Sequence, residues 1–355
     1  MTADRSPFRR VIYGNDDTCT DFDLILSQLR PNPDVAMRIS ALHAVHARWS
    51  YWRPTRDDVL FGLASACPNL EVLSMYLCLR PSVAPQLLAP KFTNLISLVL
   101  YMNSAMIVCD IPPPLLILQH MHRLEYLHMN VRRLTVGLDS PQGVHVSGHG
   151  FSRDLPFRLK SYQVDSPFAG WLDPLLASVG TIRDIDFMLD AYDQDLPDRG
   201  GIHDVHDAFA RCGRTVRTLK MRTSTISGGG ALRPSDFSSL VATCPRLERL
   251  QLDSRGTADD GLLWQTLRAL SRPLSHLVVH FHFEDPLGVR QHIRHEQQQY
   301  LETMFPRLLR ISTLRHLRTL TVLQHVSVLR LTDPYVAILR SHCLEHRIVF
   351  ELRAG

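Results

Sequence analysis

The sequence predicts an α/β fold in which one short coil of helix, turn and strand is repeated along the chain. Strands from successive coils line up as a curved parallel sheet on the inside of a horseshoe, and the helices lie outside. Two observations predict it. Residues 67–75 read CPNLEVLSM and residues 244–252 read CPRLERLQL, two copies of one pattern far apart in the chain. A spaced triplet of apolar anchors, Leu-x-x-Leu-x-Leu in its ideal form, also recurs nine times. It starts at Leu70, Leu95, Leu124, Leu159, Ile182, Val216, Leu247, Leu274 and Leu317, with 23 to 43 residues between starts. That period is typical of stacked repeats, since one strand cannot bury its apolar side alone.

The elements follow in order. In the first 34 residues, TDFDLILSQL is a short helical candidate, and NPDVAMRISALHAV is expected to supply a first strand or terminal cap. TRDDVLFGLASACPNL begins with Thr55 as cap and Asp58 three residues on, a capping-box spacing. Val59, Leu60, Leu63 and Cys67 then fall on or near one helical face. The proline after each Cys stops the helix because it cannot continue the hydrogen-bond ladder. RPSDFSSLVATC opens a second such helix at Ser235, and TADDGLLWQTLRALSRPL a third, with Thr257, Leu263, Leu267 and Leu270. TDPYVAILRSHC starts the last, with Pro334 at the first helical position. The expected division is an N-terminal cap over residues 1–34 and a solenoid over 35–355, with insertions near 137–156 and 283–305. A different α/β fold is the second choice, because no Gly-rich phosphate loop follows these strands.

Composition narrows the function. Hydrophobic residues are 45% of the chain, charged residues 21%, and the net charge is +4. There is no contiguous Lys/Arg block, so nucleic-acid binding has no positive support. No apolar run reaches the length that spans a bilayer. The seven cysteines are scattered without a Cys-x-x-Cys, which suits free thiols in a reducing compartment, cytoplasmic or nuclear.

The eighteen histidines raise the question of an enzyme or metal protein. His276, His280, His282 and Glu284 alternate onto one side of a strand, a spacing that can hold a metal. A stripe facing solvent or a partner is the preferred reading. The pairs His43/His46, His203/His206 and His292/His295 have helical spacing but lack His-Glu-x-x-His, and ISGGGAL lacks the Lys of a phosphate loop. The expectation is no cofactor, no metal and no catalysis.

Residues between the anchors point away from the core, so they form the candidate binding face. Tyr76 and Tyr101 hold equivalent positions in consecutive coils. Tyr126, His128 and Asn130 follow. Asp165, Asp184 and Asp186 make an acidic middle, Lys220, Arg222 and Arg249 a basic stretch, and His276, His280 and His282 come last. Aromatic residues beside separated charge suit a protein partner.

The units CPNLEVLSM and CPRLERLQL, with FTNLISLVL and MHRLEYLHM as weaker copies, resemble the repeats of F-box leucine-rich-repeat proteins. The irregular spacing and the ending VAILRSHCLEHRIVFELRAG resemble the F-box-like families of mushroom-forming fungi. The resemblance spans roughly residues 35 to 355. It implies a leucine-rich-repeat solenoid that receives substrates for a cullin-type ubiquitin ligase, with a protein partner on the strand face. An F-box, the module that docks on the ligase adaptor, is not found in residues 1–34. Adaptor binding is therefore expected only if an F-box lies upstream. A stand-alone repeat protein is the alternative.

Overall fold

The computed structural model describes residues 10–13, 22–44, 66–77, 92–103, 118, 120–132, 155–165, 171–190, 202–224, 234–255, 260–282, 314–324 and 334–354. They fall in two compact units, Met1–Thr181 and Ile182–Gly355.

The first unit carries β1 (Arg10–Tyr13), β2 (Ala41–Ala44), β3 (Val72–Leu77), β4 (Ser97–Asn103), β5 (Tyr126–Arg132) and β6 (Ser161–Val164). Each strand pairs in parallel with the next one in the chain. Its helices include Phe22–Leu29, Pro33–Ala36 and Asp173–Ala177. The segment expected to cap the array thus holds a strand of its own, β1, as well as the helix read from TDFDLILSQL.

The second unit carries β7 (Asp184–Asp190), β8 (Thr218–Ser224), β9 (Arg249–Arg255), β10 (His276–His282), β11 (Thr319–Gln324) and β12 (Val349–Ala354). Again each pairs in parallel with its successor. Its helices include Ile202–Cys212, Pro234–Ala242, Asp260–Arg268 and Pro334–Glu345. The last three match the helices read from RPSDFSSLVATC, TADDGLLWQTLRALSRPL and TDPYVAILRSHC. The helix read from TRDDVLFGLASACPNL lies outside the described residues, apart from its end at Ala66 and Cys67. The insertions near 137–156 and 283–305 also lie outside them, save Leu155 and Pro156.

Strand order decides where the helices go. Parallel neighbours joined through a crossover take the right-handed connection almost without exception. Within each unit the order never reverses, an arrangement that this rule pairs with helices on one side of the sheet. The Phe187 ring of β7 meets Phe209 of the helix Ile202–Cys212 edge-on, at 5.5 Å between centroids. That contact puts the helical layer over the anchor side.

The anchors fill this layer. Leu70 and Leu73 are buried, and so are all three anchors of each of the other eight triplets. The anchors also stack in register: Leu73, Leu98, Leu127 and Tyr162 in the first unit, and Ile185, Leu219, Leu250, Leu277 and Leu320 in the second. A tenth copy, Ile39-x-x-Leu42, precedes the nine, with both residues buried and Leu42 opposite Leu73.

Backbone bonds repeat with the anchors. The carbonyl just after the first anchor accepts two N–H groups from the next coil at Ser40, Glu71, Ile96, Glu125, Arg183, Arg217, Glu248 and Ser275. Arg183 O takes Arg217 N at 2.8 Å and Thr218 N at 3.0 Å; Arg217 O takes Glu248 N at 2.8 Å and Arg249 N at 2.9 Å. Such a bond satisfies main-chain groups at the strand entrance that would otherwise be left without partners. Close approach between coils has a second mark at Gly213, where an added Cβ would lie 2.6 Å from the Thr243 carbonyl oxygen. The final helix ends with Arg347 at φ 58. Ile348 N there donates to Cys343 O at 2.7 Å, and Arg347 N to Leu344 O at 3.0 Å, the two bonds of a Schellman cap.

Candidate interaction surface

Strand alternation puts the residues between anchors on the sheet side opposite the anchors. The register brings Tyr76 directly opposite Tyr101, as the repeat spacing predicts, with Asn130 next in the same row. The side chains of Tyr76 and Tyr101 lie outside the described residues. Tyr126, on the same side but with the His128 row between, is 44% exposed. The face is not uniformly open: Ser74, Val278 and Thr321 hold its middle positions yet are buried, and Thr321 Oγ1 donates to Glu351 Oε2 of the adjoining strand at 3.1 Å.

In the first unit the polar residues converge on one carboxylate. Asp165 Oδ2 accepts the Asn130 amide at 2.7 Å and lies 3.0 Å from His128 Nε2. Its other oxygen takes the Gln163 amide at 3.2 Å. The side chains of His128 and Asp165 are only 21% and 17% exposed, so this cluster is half sheltered from water and screening.

In the second unit Asp184 and Asp186 lie on β7 and Lys220 and Arg222 on the adjoining β8, so the acidic and the basic residues meet along one strand seam. Asp186 stands opposite Lys220. It receives Arg222 Nε at 3.0 Å and Nη2 at 2.9 Å on Oδ1, with Lys220 Nζ 3.5 Å from Oδ2. Parallel pairing makes this unavoidable, because the acidic strand and the basic strand are direct neighbours. Asp184, Thr218, Arg249 and His276 form a row at the strand entrances. Arg249 is exposed, and His276 Nδ1 lies 2.8 Å from Ser275 Oγ. His280 pairs by register with Asp253 and Leu323, while its side chain, that of His282 and residue Glu284 lie outside the described residues. Among the described residues no group of three or more His, Cys, Asp or Glu is placed to hold a metal. His46, His292 and His295, the ISGGGAL turn and the side chains of His43 and His203 also lie outside them.

The cysteines that close the helices pack as apolar residues. Cys67, Cys212, Cys244 and Cys343 are buried, free thiols. Burial pushes Cys212 up to about 12 from an ordinary 9.0, with Cys244 nearby adding to the rise. Cys67, Cys244 and Cys343 each rise to about 11, again through burial. A thiol so far from its anion at neutral pH is a poor nucleophile.

One feature of the surface went unread in the sequence. Asn69 and Asn94 each precede a first anchor, and each reaches back one coil. Asn69 Nδ2 donates to Met37 O at 3.0 Å, and Asn94 Nδ2 to Pro68 O at 2.9 Å. The signal was available: CPNL and FTNL carry Asn at the same place.

A scan against models of protein families finds no match to the chain, and a search of curated proteins finds none either.

Proposed function

We propose that the chain is a leucine-rich-repeat solenoid and acts as a non-catalytic protein-interaction module, an F-box-like substrate receptor or scaffold that holds a protein partner on its strand face. One observation carries this reading. The anchors of the parallel strands are buried on one side of each sheet, and the opposite side presents in-register rows that include exposed Tyr126 and Arg249. Aromatic and arginine side chains give the most binding free energy per residue at protein interfaces. The rows containing Tyr76 and Tyr101 belong to the same side by register.

The test replaces Tyr76, Tyr101 and Tyr126 together with alanine and measures affinity for proteins that co-purify with the unmodified chain, beside thermal melting. The proposal expects affinity to fall at least tenfold with melting within about 2 °C, since truncated contact residues lose binding while exposed positions change stability little. A large drop in melting with affinity retained would make these rings core residues and remove the proposed face.

A second reading is a stand-alone repeat protein unrelated to ubiquitin ligases. It is favoured by β1, which pairs in parallel with β2 and so makes Arg10–Tyr13 part of the strand array. Co-purification with the cullin-ligase adaptor separates the two: a stable complex supports the receptor, and its absence at low salt supports the stand-alone protein.

A further inference from the structure

Register gathers charge that the linear sequence disperses. Consider the six residues of each coil that run from three before the first anchor to two after it. In the second unit's coils at Ile182, Val216, Leu247, Leu274 and Leu317, these windows hold eight arginines, no lysine and two carboxylates, Asp184 and Glu248. In the first unit's coils at Leu70, Leu95, Leu124 and Leu159 they hold two arginines, one lysine and two glutamates. The imbalance belongs to the second unit alone.

The backbone places these windows side by side. The N–H groups of Arg217, Glu248, Ser275 and Arg318 each donate to the carbonyl of the corresponding residue one coil earlier, at 2.8 to 3.0 Å. Arg183, Arg217 and Arg318 therefore belong to one column at the strand entrances. Arg214, Arg272 and Arg315 sit in the turns just before it, and two more arginines come from the coil at Leu247. Neighbouring strands lie about 4.8 Å apart, so guanidinium groups recur every one or two strand spacings. All eight are exposed, and among the described residues only Arg217 is paired with a carboxylate, 3.5 Å from Glu248. Like charges at this spacing repel one another, and an anion that bridges them relieves the repulsion.

We infer that this arginine rim, at the entrances of β7 to β11, is a docking surface for an acidic polypeptide segment. It shares Arg249 with the strand-face rows, contains none of the tyrosines, and does not rest on the ubiquitin-ligase reading. Carboxylates match the guanidinium fork, with two parallel hydrogen bonds available to each pair. Two considerations favour an acidic segment over a nucleic acid. The whole chain carries a net charge of only +4, so a long polyanion gains little beyond the rim, whereas a short segment engages the rim alone. Within the five windows there is also no Phe, Tyr or Trp, and single-stranded nucleic acids bind largely by stacking on such rings.

The experiment measures fluorescence anisotropy of a labelled peptide of alternating glutamate and serine, twenty residues long, against the full chain at about 50 mM salt. The rim variant carries Arg183→Gln, Arg217→Gln, Arg272→Gln and Arg315→Gln. The control carries the same charge change at exposed sites off the rim, Arg30→Gln, Arg38→Gln, Arg340→Gln and Arg353→Gln. Single variants at Arg183 and Arg272 are measured in parallel, in case the fourfold change disturbs folding. The inference expects the rim variant to lose at least tenfold in affinity, each single variant to lose part of that, and the control to stay within twofold. No binding by the unmodified chain overturns it. Equal losses in rim and control variants overturn it too, since net charge alone would then be at work. Tighter binding of a duplex or single-stranded DNA of equal length, abolished by the rim variant, overturns the acidic segment in favour of nucleic acid.

Discussion

Asp186 and Arg222 meet diagonally across adjoining parallel strands, with Nε and Nη2 of the guanidinium 3.0 and 2.9 Å from the same carboxylate oxygen. Asp186 is 14% exposed and Arg222 20%, so the pair is held in a partly dry setting where removal of one charge leaves the other poorly solvated. Asp186→Ala is expected to cost about 1–2 kcal/mol, below the range for a fully buried pair. A double-mutant cycle with Arg222→Ala, read by urea denaturation, should give a coupling of about 0.5–1.5 kcal/mol. Additive effects would show that the two side chains do not stabilise one another.

That pair also shows where sequence reading stops. The anchor triplets were legible because burial imposes one spacing on every coil, whatever the loops between them do. Strand order followed, since repeated coils stack on their neighbours. The pairing of Asp186 with Lys220 and Arg222 spans 34 and 36 residues. With coil lengths this irregular, a list of charges becomes a map only when the register is known. The same gap hid the arginine rim, whose members stand apart in the chain and come side by side only when coils stack. The tenth copy at Ile39 and Leu42 was missed because Ala44 holds its third anchor, too small to stand out.

Leu250 tests the shared interior. It is fully buried, between Leu219 on one neighbouring strand and Leu277 on the other. Leu250→Ala removes a side chain from the middle of the column, and the cavity cannot collapse without shifting two strands. The expected loss is about 2–5 kcal/mol by denaturant unfolding. A loss under about 1 kcal/mol would mean the column is not close-packed.

Gly213 tests the distance between coils. A Cβ there would lie 2.6 Å from Thr243 O and 2.9 Å from Thr243 Oγ1. The nearer atom is backbone and cannot rotate away, so Gly213→Ala must push the coils at Val216 and Leu247 apart. A destabilisation of about 1–3 kcal/mol is expected. Thr243→Ala should leave most of it in place, because it removes only the hydroxyl. Full rescue by Thr243→Ala would locate the conflict in the side chain instead.

The buried thiols predict an alkaline limb to stability. Cys212 is raised to about 12, and Cys67, Cys244 and Cys343 to about 11, each from 9.0. Below pH 9 all four are protonated whether folded or unfolded, so they give stability no pH dependence. Above pH 9 the unfolded chain releases these protons and the folded chain does not, so unfolding is favoured as pH rises toward 11 to 12. Unfolding free energy measured from pH 8 to 10.5 should therefore fall, and Cys212→Ala should make the fall shallower. The same burial protects the thiols at neutral pH. Iodoacetamide at pH 7.5 should leave Cys67, Cys212, Cys244 and Cys343 unlabelled in the native chain and modify them after denaturation, as read by mass spectrometry of the peptides. Rapid native labelling of Cys212 would show that the coil around it opens far more readily than its packing against the Cys244 coil implies.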